Sequence, residues 1–557
     1  MPDKKSSVNL LNSIADIMEF KSENPFKIGA FRNGAIVISR LEGDFQNIIE
    51  EKKLNEIKGI GKGLQTVLYE YFEKGESELL NSLKKEIPEG IEELLKIRGL
   101  GAKKIKQLYD KLEITNIGEL EQACKENRIM LLKGFGETTQ KKILEEINKL
   151  KIYSKFVRLN VGNKLAEEIL NKLRNLNSVQ KVELSGELRR GAEVVSAIDF
   201  VANIRDEAEF FIELKEVFSY KTDLNKILLD VEYAIPVTVH FVKTESEFAS
   251  VLLTTTGSDY FLSQLNLVEN NFEGETEEEI FESVNHEYVI PEMREKEYFE
   301  AEVSFRENSN LTLKEFKGML HFHTDYSDGR NTFSEMISAA KEFGYSFAVV
   351  CDHSKTAFYA NGLTEERVIQ QKEDAQKISE ELNFPILQGI ESDILQNGEL
   401  DFSTDFLNNF NFIVASVHSR FNMLEAEMTR RIIKAIENEH TDVLGHPSGR
   451  LLLAREPYKF EIEKIIDACA ANRVAIELNS NPQRLDIDWR MIYYAREKGC
   501  LFSINQDAHS IDELDLLRYG IKMGRKGGLQ KEEVINCFEF DKFKKFLKRK
   551  ITNRLVK

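Results

Sequence analysis

A chain of 557 residues exceeds what one hydrophobic core can hold, and at roughly 100 to 200 residues per domain it predicts roughly three to five units. Its 42% hydrophobic and 31% charged residues are ordinary for a globular chain, and no apolar run reaches the roughly 18 residues of a membrane helix. The formal charge of -18 excludes a protein that coats nucleic acid by bulk electrostatics, so any such binding must come from local features. The first stretch, MPDKKSSVNLLNSIADIMEF, reads as a polar start and an amphipathic helix without the apolar block and cleavage site of a signal peptide; a cytoplasmic protein is expected. Cys124, Cys351, Cys469, Cys500 and Cys537 form no CxxC pair and read as reduced, mostly buried thiols.

Three segments then show glycine, one apolar residue and glycine ahead of a polar helix: KGIGKGLQTVLYEYF, RGLGAKKIKQLYDKL and KGFGETTQKKILEEI. A glycine-containing link between two helices has the same look, so one triplet says little; three within about eighty residues say more. The pattern resembles the helix-hairpin-helix. That resemblance implies DNA binding through Gly59, Gly61, Gly99, Gly101, Gly134 and Gly136, whose backbone amides approach a phosphate with help from the dipole of the following helix. Such amides need no basic patch, which answers the acidic net charge.

NPFKIGAFRNGA resembles the small lyase-like domain of family X DNA polymerases, and residues 151–308 resemble their palm and thumb, on the stretches GELRRGAEVVSAID, TTGSDYF and VIPEMRE. The departures are specific. The family's phosphate-binding serine is Glu187 here, although Arg189 and Arg190 persist; the first of the paired palm aspartates is Ala197, and only Asp199 remains. The third aspartate falls at Thr238, with no carboxylate from Tyr233 to Thr244. Nucleotidyl transfer needs carboxylate oxygens to hold two magnesium ions, so a degenerate polymerase site is expected. The family's Schiff-base lysine falls at Val67, with Lys62 nearby.

Beyond residue 317 seven apolar or β-branched runs end in, or lead into, metal-ligand residue types: GMLHFHTDYSDG, FAVVCDHS, PILQGIESD, FIVASVHSR, DVLGHPSGR, VAIELNS and LFSINQDAHS. Segments with helical spacing separate most of them, the rhythm of a β/α barrel whose strand C-termini share one face. Of nine histidines, six sit at those ends: His321, His323, His353, His418, His446 and His509. Asp328, Glu391 and Asp507 occupy comparable positions, and mixed imidazole and carboxylate ligands suit zinc, manganese or iron. Asp325 reads as an exposed loop carboxylate and His440 as structural. Asp352 and Asp393 read as orienters of ligands, and Arg450 as either a phosphate clamp or a salt-bridge partner. The basic stretch Lys542 to Lys557 reads equally as a solvated helix face or a phosphate contact.

HFHTDYSDG, CDHS, GIESD, SVHSR, GHPSGR and DAHS resemble the ordered motifs of the PHP (polymerase and histidinol phosphatase) family, with all nine ligand positions filled. The resemblance implies about three ions per barrel. One lies on His321, His323, Glu391 and Asp507, where bound water is the nucleophile; a second is on Glu391, His418 and His446, and a third on Asp328, His353 and His509. The whole chain therefore resembles bacterial family X polymerases. The expected fold is a multidomain α/β chain: a lyase-like helical domain (1–88), a second hairpin domain (89–150), a degenerate palm (151–243), a thumb-like domain (244–310) and a distorted PHP barrel (311–557). The expected function is 3′-5′ exonuclease action in DNA repair by a monomer, with manganese or zinc and some iron, on single-stranded, gapped or 3′-ended DNA. An active proofreading polymerase and a histidinol-phosphatase-like enzyme are the alternatives.

Overall fold

The computed structural model describes residues 2–41, 45–125, 128–153, 155–231, 233–267 and 274–549. The chain divides into two compact units, Met1–Ser154 and Lys155–Lys557.

The first unit is helical and has two apolar cores. One gathers Leu10, Leu11, Ile14, Phe31, Leu64 and Leu68; the other gathers Phe20, Leu94, Ile105, Leu108, Phe135 and Ile147. Each of the three glycine triplets folds identically. Ile60, Leu100 and Phe135 are buried and donate their N–H groups to the carbonyls of Ile57, Ile97 and Leu132, closing a tight turn. Such a turn needs positive φ at its third residue, supplied by Gly59 (102°), Gly99 (80°) and Gly134 (91°). Helices Lys62–Lys74, Ala102–Leu112 and Glu137–Tyr153 start directly after the second glycines.

The second unit contains two large sheets. Strands β1 (Val157–Arg158) and β3 (Val194–Val195) form a short antiparallel pair. The five-stranded sheet runs β2 (Val179–Ser185), β4 (Ile198–Ile204), β7 (Val237–Val242), β6 (Lys226–Asp230), β5 (Ser219–Asp223), antiparallel except for the β4–β7 pair. The remaining seven strands are parallel and follow chain order: β8 (Gly318–Met319), β9 (Phe347–Val350), β10 (Ile386–Asp393), β11 (Phe412–Ser416), β12 (Val443–Leu444), β13 (Ala475–Asn479) and β14 (Phe502–Asn505). Runs such as FAVV and FIVAS are buried along their whole length, as parallel strands covered on both faces must be. The first and last strand regions meet where His323 N–H donates to the Ala508 carbonyl at 2.8 Å, which nearly closes the barrel. Helices between the strands are punctuated locally. Thr332 and Glu335 form a capping box for Phe333–Phe343, and Gly344, at φ 105°, ends it.

Within the second unit the five-stranded region, the segment 244–310 and the barrel interlock. Lys526 is buried and donates to Glu295 at 2.6 Å and to the Arg190 carbonyl at 3.1 Å, while Lys522 donates to the Leu188 carbonyl at 2.7 Å. Arg490 reaches Glu193 at 2.9 Å.

Candidate metal centre

Parallel strands in register deliver the candidate ligands to one edge. His321 and His323 follow β8, His353 follows β9, Glu391 lies in the end of β10, and His418, His446 and Asp507 each stand two residues beyond β11, β12 and β14. Asp328 returns to this edge because the loop after His323 turns tightly. A Cβ on Gly329 would stand 2.7 Å from the His323 carbonyl, so only glycine allows the fold-back.

Candidate ligand atoms lie within 4.8 Å of one another in three overlapping groups: His323, Asp328, His353 and His509; His321, His323 and Asp507; and His353, Glu391 and His418. His446 joins the last group, with Nε2 3.0 Å from Glu391 Oε1 and 3.4 Å from His418 Nε2. All nine residues singled out in the sequence are thus brought together, with His323 and His353 each shared between two groups.

The donor set fits divalent cations. His321 Nδ1 donates to Glu477 at 2.7 Å, His418 Nδ1 to Asp393 at 2.6 Å and His509 Nδ1 to the Asp507 carbonyl at 2.8 Å, so each ring turns its Nε2 inward. His321 Nε2 and His323 Nδ1 are buried without a hydrogen-bond partner among the described residues, a costly state that a cation relieves. Burial opposes charge throughout, and the neighbours decide the outcome. Against burial, His321 and His323 hold Asp507 well below the usual carboxylate range, and His418 and His353 do so for Glu391. Against burial, Glu391 and Asp393 push His418 up to about 10, whereas burial, His509 and His353 together bring His323 down to about 4.

Other expectations resolve differently. Of the two readings of Arg450, the salt bridge is the one formed: its Nε and guanidinium nitrogens donate to the Arg484 carbonyl, Asp488 and the Leu485 carbonyl, so it holds the 484–488 loop. One cation beside the site is Arg484, whose Nε lies 3.9 Å from Asp507 Oδ2. Asp352 does not orient a histidine; it accepts from Thr324 N–H at 2.8 Å and from Ser327 and Gln371, shaping the loop that carries Asp328. Asp393 does hold His418. His440 is buried against Asn408, and Asp325 is exposed. Glu477, in β13, was missed because VAIELNS reads as a buried strand; its signal was a carboxylate inside an apolar run, which must be paired to be tolerated. In the basic C-terminal stretch Arg549 donates to Asp442 at 2.9 Å, and residues 550–557 lie outside the described residues.

In the five-stranded sheet, Asp199 stands opposite Thr238 in the parallel register, and His240 Nε2 lies 3.5 Å from the Asp199 carboxylate. Glu187 accepts the Ser196 N–H at 2.6 Å, close to Ala197. Arg189 grips Glu277 through two bonds of 2.8 and 2.6 Å, and Arg190 binds Glu295 and the Thr256 carbonyl. Val67 is buried in its helix and Lys62 is exposed. At the hairpins, Gly61, Gly99, Gly101, Gly134 and Gly136 face open space, and Lys58, Arg98 and Lys133 are exposed at one equivalent position of each turn.

A barrel of this kind joined to hairpin units defines a class, and the comparisons agree. The helix-hairpin-helix domain matches residues 2–77, the SAM-like helix-hairpin-helix tandem residues 91–149 and the PHP domain residues 319–481. Over 571 aligned residues the chain is 34% identical to the DNA polymerase/3'-5' exonuclease PolX of Bacillus subtilis, covering 98% of this chain and 99% of that protein. A probable phosphatase of Vibrio parahaemolyticus is 30% identical over 29% of this chain and 66% of its own length. Another, from Caldanaerobacter subterraneus, is 25% identical over 42% and 92%. The chain belongs to the PolX family of family X DNA polymerases, with helix-hairpin-helix domains and a C-terminal PHP domain.

Proposed function

We propose that this chain is a metal-dependent 3′-5′ DNA exonuclease whose polymerase-like core holds DNA without extending it. The observation that carries the reading is the convergence of nine candidate ligand side chains at one barrel edge, where His321 Nε2 and His323 Nδ1 are buried without a hydrogen-bond partner among the described residues. Divalent ions there, manganese or zinc with some iron, would acidify water and neutralise charge on phosphate oxygens. The chain's own residues do the rest. Glu477 and Asp393 fix the tautomers of His321 and His418, the low-lying carboxylates of Asp507 and Glu391 stay ionised, and Arg484 meets the phosphate beside Asp507. The hairpins supply three sets of open backbone amides, each beside one cation, for the phosphates of single-stranded, gapped or 3′-ended DNA.

Relatives named as probable phosphatases favour a small-molecule alternative, yet they match only part of the chain and leave the hairpin unit without a role. The reading includes a monomer, placed in the cytoplasm; among the described residues no helix is long and apolar enough to cross a membrane. The test follows an end-labelled primer on single-stranded, gapped and duplex DNA with manganese, with and without dNTPs. Metal-dependent shortening from the 3′ end supports the reading, and hydrolysis confined to small phosphate monoesters overturns it.

A further inference from the structure

Glu477 lies at the centre of β13, fully buried, and its two oxygens accept from three parts of the barrel. Oε1 takes the His321 Nδ1–H at 2.7 Å and the Asn505 Nδ2–H at 2.8 Å; Oε2 takes the backbone N–H of His446 at 2.7 Å. His446 needs that bond. It sits at φ 22°, a conformation that favours glycine, and its Nδ1 is buried without a hydrogen-bond partner among the described residues, so no side chain orients its ring from behind. His321 and His446 belong to different ligand groups: one stands 3.6 Å from Asp507, the other 3.0 Å from Glu391 and beside His418.

We infer that Glu477 is a positioning residue shared by two metal groups, and that it couples the loading of one to the geometry of the other. This rests on the metal-centre reading above. Only a carboxylate can do it, because both ends must accept. A glutamine with its oxygen toward His321 turns its NH₂ against the His446 N–H and displaces that turn. With its oxygen toward His446, its NH₂ faces His321 Nδ1, favouring the tautomer that carries its proton on Nε2, where the lone pair should face the cation.

The experiment titrates the full-length chain, stripped of metal, with zinc against a chromophoric chelator, alongside thermal melting. Glu477→Gln is expected to weaken zinc binding by about 10- to 100-fold, the usual cost of losing such a partner. Asn505→Ala, which removes the donor not linked to a ligand, is expected to stay within about twofold even if it lowers Tm. A folded Glu477→Gln chain that binds zinc as the parent does overturns the inference; a parent chain that binds no zinc overturns the metal-centre reading instead. Should Glu477→Gln fail to fold, His321→Asn and His321→Leu decide. Both remove the Nε2 ligand, but only asparagine keeps an N–H for Glu477, so zinc binding to the group at His418 and His446 should be at least about fivefold tighter in the asparagine variant. Equal affinity in the two overturns the coupling.

Discussion

Replacing His321 and His323 with alanine deletes ligands from two of the three groups while leaving the separate hairpin unit untouched. The double variant should lose manganese-dependent hydrolysis and keep DNA affinity within about twofold, since the proposed hairpin contacts to phosphate are left in place; wild-type cleavage rates in it would assign the activity to another site. The two arginines should separate cleanly. Arg484→Ala is expected to lower kcat/KM by about tenfold at unchanged metal content, because it removes a charge-assisted phosphate contact. Arg450→Ala breaks a half-buried pair with Asp488 and two carbonyl bonds, so it should lower stability by about 3 kcal/mol in chemical denaturation. An Arg450 variant of unchanged stability but raised KM would return the phosphate contact to that residue. The clustered side chains were legible because most of them close an apolar run, and a strand end is where a barrel presents side chains. Glu477 was not, and for Arg450 the choice between clamp and salt bridge stayed open, because whether a buried charge faces the cleft or its own scaffold depends on partners up to 156 residues away in the chain, as for Glu477 and His321.

At the level of elements, the glycine triplets gave the hairpins their turn geometry in advance, since a tight turn with positive φ at its third position leaves few residue choices. The second glycines are different. Gly61 and Gly101 have ordinary φ values of -75° and -70°, so conformation does not require glycine there, and their open surroundings suit an approaching phosphate. Asparagine is a favoured cap whose side-chain oxygen would occupy the free amides. Gly61→Asn, Gly101→Asn and Gly136→Asn together should leave the melting of fragment 1–154, a compact unit, nearly unchanged and weaken DNA binding about tenfold at low salt. Unweakened binding would make the hairpins packing turns only. The region 244–310 carries a second test. Glu277 is buried between Arg189 and Arg294; burial alone would raise its pKa, but those guanidiniums hold it at about 2, below the ordinary 4.5. A carboxylate depressed in the folded state contributes stability that is complete above the unfolded value and lost as pH falls from about 4.5 toward 2, on the order of 3 kcal/mol. Glu277→Gln should therefore flatten the acid dependence of melting in that window, and parallel curves for the two proteins would sink the assignment.

Across the second unit, the bonds from Lys522, Lys526 and Arg490 tie the five-stranded region, the segment 244–310 and the barrel together. The chain's expected failure as a polymerase lies in the metal site rather than in the fold, because two magnesium ions need more carboxylates than the three expected aspartate positions supply. The β4–β7 register sets Thr238 directly beside Asp199, the next residue along that face of β7 is His240, Ala197 offers no side-chain oxygen, and Glu187 spends its carboxylate on Ser196. One carboxylate cannot activate a 3′ hydroxyl and neutralise a triphosphate at once, so the chain is expected not to extend a primer. Because exonuclease action would hide slow synthesis, the assay uses the full-length His321→Ala, His323→Ala variant with magnesium or manganese and all four dNTPs; template-dependent extension by it would refute the claim. Adding Ala197→Asp, Thr238→Asp and Glu187→Ser restores the family's residues in one step, which matters because metal-site residues act as a unit and single reversions gain little. Extension by that combined variant, absent from the parent, is the expected result, since the strands that must carry the three aspartates are already in register.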